Sequence, residues 1–150
     1  MILLSLLCQI LVGYTPMSFT QVHEALKMAK TSQRDIVYDL GSGDGRVVIA
    51  AAQKYGARGV GIELDKKLCG ESQAKVRRFG LTSRVKIVCG DIRDQNLKPA
   101  TVIVMYLELD SIQVLEPQLK DLKGVRIVSN SMQQKWKHTK HIRGFWLYER

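Results

Sequence analysis

The sequence predicts an α/β fold built on a doubly wound, mostly parallel β-sheet. Two observations predict it: short apolar runs rich in Val and Ile alternate with helix-length stretches, and glycines follow several of those stretches. Continuous apolar runs are typical of parallel strands that helices cover on both faces. The alternation therefore predicts right-handed crossovers between parallel strands.

Apolar runs of strand length occur at five places, and each is predicted to be a buried strand. They are Ile36 to Leu40, Gly59 to Leu64, Val85 to Cys89, Thr101 to Leu107 and Val125 to Ser129. The predicted helices are Ser18 to Lys30, Arg46 to Tyr55, Lys66 to Phe79 and Asp110 to Leu122, with Gly56, Gly80 and Gly124 as C-terminal stops. The tail GFWLYER predicts a last strand that is antiparallel.

The chain has 150 residues and a formal net charge of +9. Its length fits one domain, which we predict to span residues 18–150 after an apolar N-terminal segment and loop at residues 1–17. The positive charge favours acidic partners. Because the basic residues are scattered along the chain, nucleic-acid binding is a secondary hypothesis.

The N-terminal stretch MILLSLLCQILVG is nearly all apolar. It is shorter than the roughly 20 residues that span a bilayer, and no Lys or Arg precedes it as in a signal peptide. We predict a helix that packs on the body of the protein. The alternative is the membrane-facing remnant of a longer precursor, which would allow membrane contact through this segment.

The cysteines Cys8, Cys69 and Cys89 are odd in number and lack the close spacing of a metal site. They predict reduced thiols in an intracellular protein, and no metal is expected. The segment KWKHTKHIR is interpreted as a solvated basic loop, in which Trp136 is a candidate contact for an acidic protein or a nucleic acid.

Ligands of doubly wound sheets bind beyond the carboxyl ends of the strands. A G-x-G-x-G turn follows the first predicted strand, and Arg46 stands where a dinucleotide fingerprint has its third glycine. Asp39 would repel a pyrophosphate and attract an amine. The candidate ligand contacts of this turn are Asp39, Gly41, Ser42, Gly43 and Gly45.

Acidic residues also end the next two strands. Glu63, followed by Leu64, is placed to accept both hydroxyls of a ribose, and Asp91 is placed to accept from an adenine amine, with the Ile92 N–H donating to a ring nitrogen. Amine, ribose and base in this order predict S-adenosylmethionine. The alternatives are local: a glycine turn that only connects, and acids that cap helices or turns, as we expect for Asp65.

VYDLGSGDGRVVIAAA and the residues around it resemble the class I, seven-strand S-adenosylmethionine-dependent methyltransferases from about Tyr14 to the C-terminus. The motif is similar to that of small protein-lysine methyltransferases, a group with archaeal broad-specificity enzymes and a mitochondrial enzyme that acts on part of the ATP synthase. The resemblance implies a Rossmann-like sheet of strand order 3-2-1-4-5 plus one or two further strands. It also implies cofactor contacts at Thr15 and Pro16, in GYTPMSF, and at Met105.

The segment after the fourth strand indicates the acceptor. Methyltransferases that act on adenine amines or glutamine resemble one another in an Asn/Asp-Pro-Pro-Tyr loop, and this chain has Met105, Tyr106, Leu107 and Glu108 there. An aliphatic amine needs no planar clamp, and the resemblance to the small protein-lysine methyltransferases implies that the amine is a lysine of a protein, so we predict a protein-lysine N-methyltransferase. Tyr106 is the candidate catalytic residue, shaping a channel for the amine; the alternative is a packed aromatic ring. Glu108 and Asp110 are candidate helix caps.

Other activities remain open at this point. A methyltransferase for RNA or for a small molecule is one alternative, and a non-catalytic module that binds S-adenosylmethionine is another. The expected location is intracellular, with membrane association or an organelle as further possibilities.

Overall fold

A computed structural model describes residues 15–131 and 136–150. Its sheet contains β1 (Ile36–Leu40), β2 (Arg58–Glu63), β3 (Val85–Cys89), β4 (Val102–Met105), β5 (Arg126–Ser129), β6 (Lys140–Ile142) and β7 (Phe145–Glu149). The strand order is β3-β2-β1-β4-β5-β7-β6. The first five strands are parallel, whereas β7 is antiparallel to both β5 and β6. The predicted fold and strand order are confirmed.

Helices connect the parallel strands on both faces of the sheet. They are α1 (Phe19–Met28), α2 (Arg46–Tyr55), α3 (Lys66–Arg78) and α4 (Leu109–Lys120), with a 3₁₀ turn at Ile92–Asp94. The predicted elements agree with these bounds to within two residues, and β1, α2 and β3 agree at both ends. β4 stops at Met105, two residues before its predicted end, because the Leu107 N–H donates to the Asn130 side chain, 3.1 Å away.

The centre of the sheet is buried on both faces. On one face, α1 and α2 cover β1 and β4, with Leu26, Val37 and Val104 fully buried. On the other face, α4 covers the same strands through Ile112 and Leu119. Burial on both sides explains the continuous apolar composition of these strands. Packing on both faces also holds the carboxyl end of β1 in place, and the candidate site begins at that end.

A polar network holds the amino end of the sheet together. Asp35 accepts from the Ser32 N–H at 2.7 Å and from the Thr101 hydroxyl at 2.8 Å, and it pairs with the Arg126 guanidinium. Burial favours the neutral acid, but hydrogen bonds from Thr101 and Ser32 and the charge of Arg126 outweigh it, so the pKa of Asp35 is lowered. Arg126 also donates to the Ala29 carbonyl at 2.6 Å. The network ties the turn after α1 to β4 and β5.

The structure corrects two interpretations near the C-terminus. Residues 140–142 of the predicted solvated loop form β6, the outer strand at one edge of the sheet, and all three are exposed. The His141 ring stacks on Trp146 with ring centroids 4.3 Å apart. Trp136 is only 8% exposed and packs edge-on against Tyr148, so this side chain belongs to the core and not to a binding surface.

The expectation of reduced cysteines is wrong for two of the three. Cys69 and Cys89 form a disulfide, with Cα atoms 5.6 Å apart. The two cysteines are 20 residues apart in sequence, and this spacing gave no signal that they pair. The two meet because α3 packs along β3, and this brings Cys69, on the first turns of the helix, beside the last residue of the strand.

The apolar helix predicted at the N-terminus lies outside the described residues, as does Cys8. Among the helices that are described, none combines the length and the apolar composition needed to cross a membrane.

The disulfide makes a testable prediction about stability. Closing a loop of this size stabilises a fold by about 3 kcal/mol, so Cys89→Ser should lower the free energy of unfolding by about that amount. Reduced wild-type protein should show the same loss. The measurement is urea unfolding with and without a dithiol reductant. Thiol titration of unreduced, denatured protein would contradict the pairing if every cysteine reacted.

Candidate cofactor and active site

The residues directly after β1, 41–45, form a loop that we call the glycine loop. Its three glycines have positive φ: +80° at Gly41, +52° at Gly43 and +79° at Gly45. Residues with a Cβ rarely adopt this conformation. At Gly41 a Cβ would also lie 2.6 Å from Leu107 Cδ2. The glycine spacing therefore serves both the turn and the close approach of another group to bare backbone.

Strand β2 supports the glycine loop through its main chain and its last side chain. The N–H groups of Gly41 and Ser42 both donate to the Ile62 carbonyl at 2.9 Å. Glu63 Oε2 accepts from the Gly43 N–H at 2.6 Å, and its Oε1 accepts from the Asp65 N–H at 2.8 Å. A carboxylate oxygen has two lone pairs, so each keeps a site for a ligand hydroxyl. Glu63 thus braces the loop and can still bind ribose.

Asp39, the fourth residue of β1, is buried beside the glycine loop with 4% exposure. No donor among the residues that the structure describes hydrogen-bonds to its carboxylate. Burial, and after it the negative charges of Glu63 and Asp44, raises the pKa of Asp39 to about 8. A buried acid without a partner is costly, and a cationic ligand group would remove that cost. Asp39 is therefore a ready site for an amine.

Asp44, in the same loop, is already satisfied. Its carboxylate accepts from Arg46 Nε at 2.8 Å and from Lys75 Nζ at 2.7 Å. Burial alone would raise the pKa of Asp44, but the hydrogen bonds and charges of Arg46 and Lys75 outweigh it and hold the pKa well below the usual range. Asp44 is thus a structural anion, unlike Asp39.

The end of β3 provides a third acid, Asp91, which is half-buried. It caps the 3₁₀ turn by accepting from the Arg93 N–H at 2.8 Å, and its side chain pairs with the Arg93 guanidinium. The hydrogen bonds from the Arg93 side chain lower the pKa of Asp91. The Ile92 N–H, in contrast, has no acceptor among the described residues, and Leu64 is 47% exposed near the end of β2. A carboxylate and an N–H beside apolar surface suit the polar edge and the flat face of a nucleobase.

Two of the predicted contacts are enclosed in the protein. The Met105 side chain is fully buried in the core cluster beneath α4. Ser42 is 4% exposed, and its hydroxyl has no hydrogen-bond partner within the described part of the chain. Their inclusion among the cofactor contacts remains a prediction.

Tyr106 follows β4 and is half-buried. Its ring packs against the core formed by α1 and α2, with its centroid 6.3 Å from that of Phe145. The next residue, Leu107, lies over Gly41 and is held there by Asn130, at the end of β5. Glu108 occupies the N-cap position of α4 without a side-chain hydrogen bond, whereas Asp65 caps α3 as expected.

Sequence reasoning missed Asn130 and Arg46 as parts of this region. Asn130 follows β5 directly, so the rule that sites collect at strand ends could have identified it. Arg46 donates to the Met17 carbonyl at 2.6 Å, just after Thr15 and Pro16, which are both exposed. That contact gave no signal in the sequence.

These features together fit S-adenosylmethionine. The described residues provide a buried acid without a donor, bare backbone at positive φ, an acid with free lone pairs, and an N–H without an acceptor beside apolar surface. The Glu63 carboxylate makes the glycine loop electronegative, which disfavours a phosphate there.

Comparison with known proteins identifies the family. The family model described as the ANTKMT methyltransferase domain matches residues 39–140, more than half of the chain. The chain belongs to this methyltransferase family. The match begins at Asp39, so it includes the glycine loop, Glu63 and Asp91. The predicted enzyme class, a methyltransferase that uses S-adenosylmethionine, is confirmed, as is the resemblance to the small protein-lysine methyltransferases.

Individual relatives give the same result. A protein-lysine N-methyltransferase of Saccharolobus islandicus (strain REY15A) is 39% identical over 125 residues, a match covering 81% of this chain and 78% of that protein. The adenine nucleotide translocase lysine N-methyltransferase of Mus musculus is 32% identical over 120 residues, 79% of this chain but 52% of that enzyme. An ATP synthase lysine N-methyltransferase of Xenopus laevis is 41% identical over 107 residues, 71% of this chain but 45% of that enzyme. The chain thus spans about half the length of the latter two enzymes.

A solved structure is similar along nearly its full length. The crystal structure of an RNA methyltransferase from Salinibacter ruber, in complex with S-adenosyl-L-homocysteine, has a TM-score of 0.84 and 34% identity. The match covers 89% of this chain and 91% of that one.

Asp39 makes the first prediction of this section. Because its pKa is about 8, binding a cationic amine at pH 7 should release close to one proton, and release should fall above pH 8. Asp39→Asn should abolish the release and weaken binding at least about tenfold. The measurement is calorimetry of S-adenosylhomocysteine binding in buffers of different ionisation enthalpy. Binding without proton release in wild type would contradict the assignment.

The same group makes the ligand-free fold sensitive to pH. Folding raises the pKa of Asp39, so its contribution to stability is present below pH 3.8 and is lost as pH rises through about 8. In the absence of ligand, Asp39→Asn should therefore have a higher melting temperature than wild type at pH 9, although it binds the ligand less well. Equal melting temperatures of the two proteins at pH 9 would show that the charged Asp39 carboxylate does not destabilise the fold.

Glu63 makes a second prediction. Glu63→Ala removes the acceptor for the Gly43 N–H and for the ligand hydroxyls, and should weaken S-adenosylhomocysteine binding by about 1.5–3 kcal/mol. Glu63→Gln should lose less, because its amide oxygen still accepts. Calorimetry with both variants is the test, and wild-type affinity in the alanine variant would show that Glu63 faces no ligand.

Proposed function

We propose that the chain transfers a methyl group from S-adenosylmethionine to the side-chain nitrogen of a lysine in a protein substrate. The observation that carries the acceptor class is the segment Tyr106 to Glu108 after β4, which presents an aromatic and an apolar wall in place of a planar Asn/Asp-Pro-Pro-Tyr clamp. The names of the Saccharolobus islandicus and Xenopus laevis relatives, both lysine N-methyltransferases, support the same acceptor.

In this proposal the chain holds the cofactor along three strand ends. Asp39 binds the amine, Glu63 the ribose hydroxyls, and Asp91 with the Ile92 N–H the edge of the adenine. Asp91 already accepts from the N–H, Nε and Nη2 of Arg93, so binding the adenine amine requires that part of this pairing with the exposed Arg93 side chain is released. The remaining predicted contacts are Thr15, Pro16, Gly41, Ser42, Gly43, Gly45, Leu64 and Met105.

When bound, S-adenosylmethionine supplies an electrophilic methyl group on a sulfonium. The side chains of the protein then have to orient the acceptor nitrogen and exclude water. Tyr106 is suited to this role, because its ring is anchored against Phe145 while the residue follows β4 directly. Leu107, held over the glycine loop by Asn130, closes the site on the adjacent side.

The acceptor must lose a proton, since an ammonium has no lone pair. The chain has three histidines, and none is placed as a base for this step. His23 is on α1, and His138 and His141 belong to the β6 and β7 region, where His141 stacks on Trp146. Desolvation beside Tyr106 and Leu107 and the positive charge of a bound sulfonium would lower the amine pKa, so that the lysine gives its proton to bulk water before its neutral nitrogen enters the site.

RNA is the second candidate acceptor, because the Salinibacter ruber neighbour is named an RNA methyltransferase. The chain's net charge of +9 is compatible with it. We place it second because the residues after β4 form no clamp for a planar base.

The proposal extends to partners and location in outline. The substrate is a protein that presents a lysine to the carboxyl edge of the sheet. We further propose an intracellular or organellar site of action, with the apolar residues 1–13 as the segment that would contact a membrane.

Tyr106 provides the test of the reaction. If its ring acts only as a wall, Tyr106→Phe should keep the methylation rate within about threefold, whereas Tyr106→Ala should lose about 100-fold through misalignment and water entry. The rate should rise with pH as the neutral amine becomes more abundant. The measurement is single-turnover methylation of a lysine-rich protein across pH, with an RNA pool as a parallel substrate.

Mass spectrometry of the products separates the outcomes. Methyl groups on lysine support the proposal, and methyl groups on RNA, arginine or glutamine overturn the acceptor class. A collapse of the rate in Tyr106→Phe would overturn the role of the ring as a wall and show that its hydroxyl is required.

A further inference from the structure

We propose that Arg46 is a positioning residue that fastens the segment before α1 to the glycine loop and so holds one wall of the cofactor site in place. The identity of the ligand rests on the proposed function. The fastening itself rests on contacts within the chain.

On the side of the glycine loop, the Arg46 guanidinium forms a bidentate pair with the Asp44 carboxylate. Its Nε donates to Asp44 Oδ1 at 2.8 Å, and its Nη2 donates to Oδ2 at 2.9 Å. The two side chains are 20% and 14% exposed, so water screens the pair only partly. Such bidentate pairs fix the direction of the guanidinium as well as its distance. Arg46 is thereby a rigid extension of the loop.

On the other side, the same guanidinium binds the chain ahead of α1. Its Nη1 donates to the Met17 carbonyl at 2.6 Å, and its central carbon lies 5.3 Å from the centroid of the Phe19 ring. The Met17 side chain is 4% exposed and packs in the core. These contacts of Met17 and Phe19 together set the path of the chain at Thr15 and Pro16, which come immediately before Met17.

The position of Arg46 makes this contact available. It is the first residue of α2 and follows Gly45, so its side chain leaves the helix at the glycine loop. A glycine at this place, as in a dinucleotide fingerprint, would leave the Met17 carbonyl without this donor. A lysine could satisfy Asp44 or Met17 but not both, because its ammonium is a point charge without a planar fork.

The experiment compares Arg46→Met and Arg46→Lys with Lys75→Met as the matched control. Lys75 also pairs with Asp44, through an ammonium 2.7 Å from Oδ2, but it forms no hydrogen bond to the Met17 carbonyl. The first measurement is hydrogen exchange without cofactor, in peptides that contain residues 15–18. The second is the affinity for S-adenosylhomocysteine by calorimetry, and thermal unfolding checks that each variant is folded.

Both Arg46 variants should show faster exchange in this segment and weaker binding, by about 10- to 100-fold for Arg46→Met. Lys75→Met should match wild type in both measurements to within about threefold. If Arg46→Met does not fold, Arg46→Lys decides the question.

Other results overturn the inference in distinguishable ways. Unchanged exchange in the Arg46 variants would show that Arg46 does not fasten the segment, whatever the affinity. Faster exchange with unchanged affinity would show that the segment is no wall of the site. Failure of wild type to bind S-adenosylhomocysteine would instead overturn the proposed function. In that case the hydrogen-exchange measurement by itself would still show whether Arg46 holds the segment before α1.

Discussion

The structure depends on a conformational constraint at the end of its central strand. β1 is enclosed by helices on both faces, and the chain leaves it through a loop with positive φ at three alternate residues. The Ile62 carbonyl and the Glu63 carboxylate of the neighbouring strand hold that loop by hydrogen bonds to its N–H groups. The path of the glycine loop is therefore set by two adjacent strands together.

The acids of the chain divide by whether they are already satisfied. Asp35 is buried and Asp44 is half-buried, and each has arginine and further donors around it. Asp39 is as buried as Asp35 but, among the described residues, has no donor at its carboxylate. Burial thus disfavours the charged form of Asp39, and a ligand amine beside the carboxylate would stabilise that form.

Much of this architecture was predictable because its signals are local. Apolar runs and following glycines located β1, α2 and β3 at both ends, and the G-x-G-x-G spacing indicated the ligand loop. The failures involve residues that meet only through tertiary packing. The pairing of Cys69 with Cys89, the burial of Trp136 against Tyr148, and the contacts of Arg46 with Met17 and of Asn130 with Leu107 join distant parts of the chain. Periodicity carries no information about such pairs.

The outer strand β6 has a consequence for how this molecule meets copies of itself. An open strand edge is a template for intermolecular pairing and aggregation, above all when the strand is long and apolar. Here the apolar β5 is shielded by β7, and the strand left outermost is three residues long, fully exposed, and carries Lys140 with His141. At this edge of the sheet the outer strand is therefore short and carries a charge, which disfavours pairing with a strand of a neighbouring molecule.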